Sequence, residues 1–419
     1  MLFMRSMFCT GFQLPSWTQR TVIAALFILS GCLDQLNPRP LSEHNRSVLQ
    51  QIPDWGSIST EALPGSAGHL GEILALKQVS NAPAQVVSAG TDGNIIAWAL
   101  QSGSGHLLKQ IGGTMQLAAF GEDKMLVAWT SGASVRVACL ATDCQGSWEL
   151  TRLKTRFTTL AFHEDDSALL IGGADGRVYR WRFLIEPIAQ TIRERDQSLE
   201  RYVAHQTSVS VVQPLSTGRA FFSADWDGML YGWLVYTADD HEGSFDKNLF
   251  GGRFFGNAGS YISAGRAADR GITSMAISHD GRRLALGSDD GFVEIWEVRG
   301  FQMIARAQAH SGRVISIALN DAGSRVVSVG RDGKIQASEV LANPSFGIAA
   351  QATMARLVPI LSEEMKSARR VLFISSGNVL ITTNAGQVGE LSLGDRKAVP
   401  PPQTTPSTIH HQAGGDSDY

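Results

Sequence analysis

Short runs in which apolar and polar side chains alternate recur along the chain. Thr158–Phe162, Ser208–Val212, Thr273–Ile277 and Val314–Leu319 all have this period, which is that of a strand with alternate side chains on opposite faces. After such a run come two more, joined by a turn signal. Ser88–Ala99, Ile171–Arg182, Ser223–Leu234 and Leu286–Glu297 each contain Asp-Gly, four residues and then Trp. An Asp-Gly between two alternating runs predicts a hairpin, because glycine accepts the positive φ of the tight turn. Three weaker copies, Trp129–Cys139, Ser328–Ser338 and Ile381–Leu391, keep the shape. Aligned on the turn, the anchors are Gly93, Ala133, Gly176, Gly228, Gly291, Gly333 and Gly386, spaced 40 to 63 residues apart. Seven copies of a unit with three visible strands and a fourth, poorly marked one predict an all-β fold. It is a seven-bladed β-propeller of four-stranded antiparallel blades over residues 61–395.

Three spacings exceed the repeat, and helical or irregular insertions are expected there. In 184–204, Ile188, Ile192, Leu199 and Val203 fall near one helical face after Pro187, which predicts an amphipathic helix. Residues 236–269 carry the acidic cluster Asp239, Asp240, His241, Glu242 and Asp246. It lacks the residue order of a calcium loop and reads as a solvated loop. The aromatic, glycine-rich stretch Phe250–Tyr261 has no phosphate-loop register. The third insertion, 341–367, ends in a short polar helix candidate around Ser362–Ala368.

Composition narrows the function. Lys and Arg total 36 against 39 Asp and Glu, a net charge of −3, so no global positive field exists to hold nucleic acid. Four cysteines in 419 residues exclude a disulfide-stapled scaffold. Cys139 and Cys144 flank a turn in the second copy and form a candidate disulfide in an oxidising compartment. Residues 396–419, with four prolines, cannot bury a core and read as a disordered tail. The pair His410–His411 there is only a weak metal hint, and no metal or cofactor is expected.

The N-terminus reads as an address. Thr21–Leu29 is nine apolar residues behind Arg20. As a helix it would span about 14 Å, against the roughly 30 Å hydrocarbon core of a bilayer. It has the size of a signal-peptide core and is followed by Leu29-Ser30-Gly31-Cys32. This resembles the bacterial lipoprotein signal, which implies cleavage after residue 31, acylation of Cys32 and a linker over 32–60. Leu33 is not the Asp that retains such proteins at the inner membrane of enteric bacteria. The resemblance therefore implies an outer-membrane anchor facing the periplasm.

The repeats resemble the WD-repeat family. That family places a His before the first strand, a Ser or Thr in the second, an Asp at the turn and a Trp in the third. Copy one offers His69, Ser88, Asp92 and Trp98, and copy four offers His205, Ser223, Asp227 and Trp233. Copy six has His310, Ser328 and Asp332, with Ser338 where Trp belongs. The resemblance implies a structural hydrogen-bond chain rather than a catalytic dyad. It also implies that the ring closes by a strand near Trp55–Thr60 joining the last blade. Turns between second and third strands share one face of such a disc, where Thr91, Ala174, Trp226, Asp289 and Arg331 would project. Trp226 with Asp225 beside it, and Arg331, make this the candidate binding face, since Trp and Arg are frequent hot-spot residues.

No nucleophile elbow, zinc spacing or paired-carboxylate motif appears. The expectation is a non-enzymatic, lipid-anchored interaction scaffold of the bacterial envelope, monomeric within a complex and binding envelope proteins. The alternatives are a periplasmic propeller enzyme with a central-channel ligand (a lactonase-like hydrolase or a quinone-dependent dehydrogenase) and an intracellular scaffold with a spurious leader.

Overall fold

The computed structural model describes residues 68–79, 82–100, 104–121, 126–140, 147–151, 153–163, 168–185, 192–215, 220–235, 261–342, 355–374 and 377–393. All lie in the compact unit Ile52–Tyr419. The leader, Cys32, the linker, the Trp55–Thr60 segment, Cys144, the 239–246 cluster and the tail fall outside the described residues.

Seven antiparallel sheets form in chain order, six of four strands and the last of three, and the described residues contain no helix. The first strands of the blades are Ile73–Val79, Ala118–Phe120, Phe157–Phe162, Val209–Pro214, Ile272–Ile277, Val314–Leu319 and Ala368–Phe373. Each meets the first strand of the next blade, and the last meets the first, so they line the axis of a closed seven-bladed ring. Gly93, Gly176, Gly228, Gly291, Gly333 and Gly386 hold φ between 74° and 89°, which is why the turn signal repeats where it does. Blade two departs by one residue, since its left-handed position is Gly132 rather than Ala133.

Second strands are buried on both faces because each blade is covered by a neighbour on either side. Ala168–Gly173 and Ala220–Asp225 are buried at every position. Apolar clusters bridge successive blades. Leu126, Val135 and Val137 pack with Leu169, Ile171 and Trp181 across blades two and three. Phe222 and Leu230 pack with Met275, Leu286 and Trp296 across blades four and five. The cluster of Ile73, Val86, Ile96, Trp98, Ile374, Leu380 and Val388 joins blade one to blade seven. At that seam Arg370 Nε also donates to the carbonyl of Ile73, 3.0 Å away.

Two expected helices are strands. Ile192–Val203 is the fourth strand of blade three, paired with Arg177–Ile185 in the register Trp181↔Leu199 and Arg177↔Val203. Ile188, Ile192, Leu199 and Val203 match a helical spacing in the sequence, but Tyr202 beside them is 2% exposed. Its ring meets Phe221 and Trp233 of blade four edge-on, at 5.0 and 5.4 Å. Glu200 accepts hydrogen bonds from Arg180, itself buried, from Arg182 and from the Tyr202 hydroxyl. Burial and the Glu200 charge push that phenol up from its ordinary pKa. Likewise Ser362 lies in the strand Ala355–Glu364, a long hairpin with Lys334–Ala342, and the chain turns at Lys366–Ser367.

Candidate functional site

Three blades carry a buried chain of hydrogen bonds. In blade one, Trp98 Nε1 donates to Ser88 Oγ at 2.6 Å, and Ser88 Oγ lies 2.7 Å from His69 Nε2. His69 Nδ1 lies 3.0 Å from Asp92 Oδ1. A proton on Nδ1 satisfies every partner, with Ser88 donating to Nε2. Asp92 also accepts from the backbone N–H of Leu70 and Asn94. Burial alone would raise the Asp92 pKa, but the His69 hydrogen bond and these two N–H groups outweigh it and hold the carboxyl below its ordinary value. Blade six repeats the pattern, with His310 Nδ1 3.1 Å from Asp332 and Nε2 2.8 Å from Ser328.

Blade four differs from the expectation. His205 Nδ1 lies 2.8 Å from Asp225 Oδ2, not from Asp227. Asp225 is fully buried and also accepts from the N–H groups of Asp227 and Met229. The structural carboxylate of blade four is therefore Asp225, which removes it from the binding face. The reason is register. Asp225 stands two residues after Ser223, the place that Gly90 holds after Ser88 and Gly330 after Ser328. A Cβ on Gly90 or Gly330 would come within 2.3 Å of the His69 or His310 Nδ1. A glycine there lets the histidine reach a carboxylate on the turn, whereas an aspartate there meets the histidine itself.

Blade five has no such histidine. Trp296 Nε1 donates instead to Glu294 Oε2 at 2.9 Å, and Arg306 Nε lies 3.4 Å from Glu294 Oε1. Glu294 is 2% exposed, and burial raises its pKa although Trp296 and Arg306 oppose the shift.

The turn residues do share a face. The backbone N–H of Thr91, Ala174, Trp226, Asp289 and Arg331 donates to Glu72, Arg156, Ser208, Gly271 and Arg313 respectively, each in the loop leading into its own blade's first strand. Trp226, Asp289 and Arg331 converge with these loops. Trp226 is 40% exposed and lies against Gly271, where a Cβ would approach its ring to 2.9 Å. The Arg313 guanidinium sits over the indole, 4.9 Å from its centroid, and pairs with Asp289. A cavity of about 600 Å³ opens here, lined by Glu72, Trp226, Arg313, Arg331, Lys366 and Arg369 among others. Thr91 is not among its lining residues. Reading the turns alone missed Glu72, Arg313, Lys366 and Arg369, which lie in or just after the loops that enter the first strands. Their signal was the register, since every such loop is bonded to a turn.

The other end of the channel holds a cavity of about 460 Å³ lined by Phe120, Phe162, Met275 and Phe373 together with the polar Gln213, Ser278, His279 and Asp321. Among the described residues no three His, Cys, Asp or Glu side chains are grouped to hold a metal. Cys139 is disulfide-bonded.

Comparison with known proteins fits this geometry. Residues 259–297 and 301–336 match the family model described as WD domain, G-beta repeat. The two matches span blade five and the first two strands of blade six. The chain is similar to the WD repeat-containing protein 91 homolog of Dictyostelium discoideum, 34% identical over 64 residues, which is 15% of this chain and 8% of that protein. Its fold is similar to the WD40 β-propeller domain of Doa1 (TM-score 0.55, 15% identity, 79% of this chain and 96% of that one). U3-55K is also similar (TM-score 0.56, 17% identity, 76% and 90%). WD-repeat propellers generally act as non-enzymatic scaffolds for protein–protein interaction.

Proposed function

We propose that this chain is a lipid-anchored interaction scaffold of the bacterial cell envelope, held at Cys32 and engaging protein partners through the face formed by its inter-strand turns. The observation that carries the binding half of this reading is where exposed apolar groups collect. The exposed large hydrophobic residues described are Leu70, Leu107, Val203 and Trp226. Leu70 precedes a first strand, Val203 ends a fourth strand and Trp226 stands on a turn, so these three share one face of the disc. Of these, Trp226 stands beside Arg313 and Arg331 at one cavity, and exposed Trp and Arg side chains are frequent at interaction hot spots. A preorganised disc limits the entropy lost on association. The anchoring half rests on the leader, with its short apolar core and Leu29-Ser30-Gly31-Cys32. Acylation there would tether the propeller without crossing the bilayer.

Two experiments test the two halves. Cross-linking in cells followed by pull-down compares the wild type with Leu70→Ser/Trp226→Ala. Loss of a defined partner in the variant is the expected result, and an unchanged set of partners would refute the face. Membrane fractionation with labelled palmitate should show label and membrane association that vanish in Cys32→Ala. An unlabelled protein with unaltered fractionation would refute the anchor.

A further inference from the structure

The charge of the turn-face cavity is opposite to that of the whole molecule. The chain is net −3, yet four of the cavity's lining side chains are cationic, Arg313, Arg331, Lys366 and Arg369, against the single carboxylate Glu72. All four come from blades six and seven. Arg313 is engaged by Asp289 and by the Trp226 ring, and Arg369 donates to the carbonyl of Ala368. Arg331 and Lys366 have no side-chain hydrogen bond or ion pair among the described residues. Two exposed cations without a protein partner among the described residues and a partly committed third thus border one concavity. Like charges held together this way raise the local potential and gain most from an anion that takes several charge-assisted hydrogen bonds at once.

We propose that this end of the channel takes an acidic peptide segment of a protein partner, its carboxylates held by Arg331, Lys366 and Arg369 and its neighbouring apolar side chain against Trp226. The proposal rests on the turn face being the interaction face and adds the chemistry of what binds there. Geometry favours a peptide over an extended polyanion. The basic wall is confined to two blades, while Glu72, Asp269 and Asp289 stand on blades one and five; Asp269 is 79% exposed. A nucleic-acid strand crossing the disc would meet these carboxylates, whereas a short acidic segment entering the cavity meets mainly cations. A volume of about 600 Å³ lies in the range of pockets that enclose a few side chains.

The test is fluorescence anisotropy with the full chain and a short fluorescein-labelled Glu/Gly/Leu peptide, beside the same peptide with Gln for Glu. Expected are saturable binding of the Glu peptide, weakening of about tenfold or more with Gln, and loss in Arg331→Glu/Lys366→Glu. Affinity should fall as salt rises. The neutral variant Arg331→Gln/Lys366→Gln should bind at an intermediate level, and an unaltered melting midpoint confirms that it folds. Equal binding of the Gln peptide, no binding of the Glu peptide, or binding that survives charge reversal would each overturn the proposal. So would tighter binding of an oligothymidylate or of phosphatidylglycerol vesicles. If the cellular partner is lost in Leu70→Ser/Trp226→Ala but retained after charge reversal, the face stands and the acidic ligand falls. If neither variant loses it, the face itself falls.

Discussion

In blade one the carboxylate that holds His69 stands on the turn, at Asp92; in blade four the one that holds His205 stands at the end of the second strand, at Asp225. The two histidines point the same way, and both reach a Ser that also accepts from a Trp. What the blade requires is an acceptor near Nδ1, and two sequence positions can supply it. The choice is made at one site, by whether the residue two after the Ser is Gly or Asp. With Gly90 the histidine has room to reach the turn; with Asp225 the turn residue Asp227 is released from that role. An aligned motif thus marks an interaction without fixing which residue makes it.

The largest effect should come from Asp225→Ala. It strips a fully buried histidine of its acceptor, at a cost of about 2–3 kcal/mol, read as a lower urea midpoint. Gly90→Ala should destabilise by about 1–3 kcal/mol, because its methyl occupies the approach of His69 to Asp92. A neutral outcome would mean the blade-one chain has slack that the distances deny. Asp225→Gly sharpens the comparison further. It restores the glycine that blade one has at this place and leaves Asp227 at the position Asp92 holds four residues after the Ser, so it should recover part of the stability lost in Asp225→Ala despite the entropic cost of glycine. If Asp225→Gly is as damaging as Asp225→Ala, the two solutions are not interchangeable. Asp227→Ala should cost less than Asp225→Ala, since His205 keeps its acceptor, and a larger loss than for Asp225→Ala would reverse the assignment.

Blade five sets a contrast of pH. Asp92 and Asp332 titrate below their ordinary value, so their contribution is present above the unfolded pKa and lost as pH falls through the folded one. Burial lowers His310 as well, against the pull of Asp332, and its protonation adds to the acid sensitivity of blade six. Glu294 is raised. Its contribution is present below the unfolded value and lost as pH rises through the folded one. Glu294→Gln keeps an acceptor for Trp296 and removes the buried charge. Its midpoint relative to wild type should therefore climb as pH rises from the ordinary carboxylate range through the raised folded value of Glu294; a difference flat in pH would place the charge in water.

Blade number and the turn face were legible because Asp-Gly hairpins and strand alternation are local properties, decided within ten or so residues. The Asp227 assignment went astray because only the three-dimensional path of the second strand shows that the Asp225 carboxylate already reaches the histidine. The 192–203 strand was hidden for a related reason. Ile192, Leu199 and Val203 satisfy a helical spacing, while the side chain that decides the matter, Tyr202, is buried by blade four rather than by its own neighbours in sequence. Arg331 was legible from its turn, but the rest of the basic wall was not, because Arg313, Lys366 and Arg369 are scattered over two repeats and meet it only around the axis.

The Arg370–Ile73 bond joins residues 297 positions apart, and this has a consequence for synthesis. A chain made from its N-terminus produces blade one first, yet the apolar cluster around Ile73 and Trp98 needs Ile374, Leu380 and Val388 to be covered. Blade one therefore waits with one flank bare until blade seven has been made. Contacts this distant in sequence form slowly, and exposed strand faces aggregate while they wait. The seam is the place where a holding chaperone would act, and where a premature stop just before residue 370 would leave six well-formed blades in a ring that cannot shut.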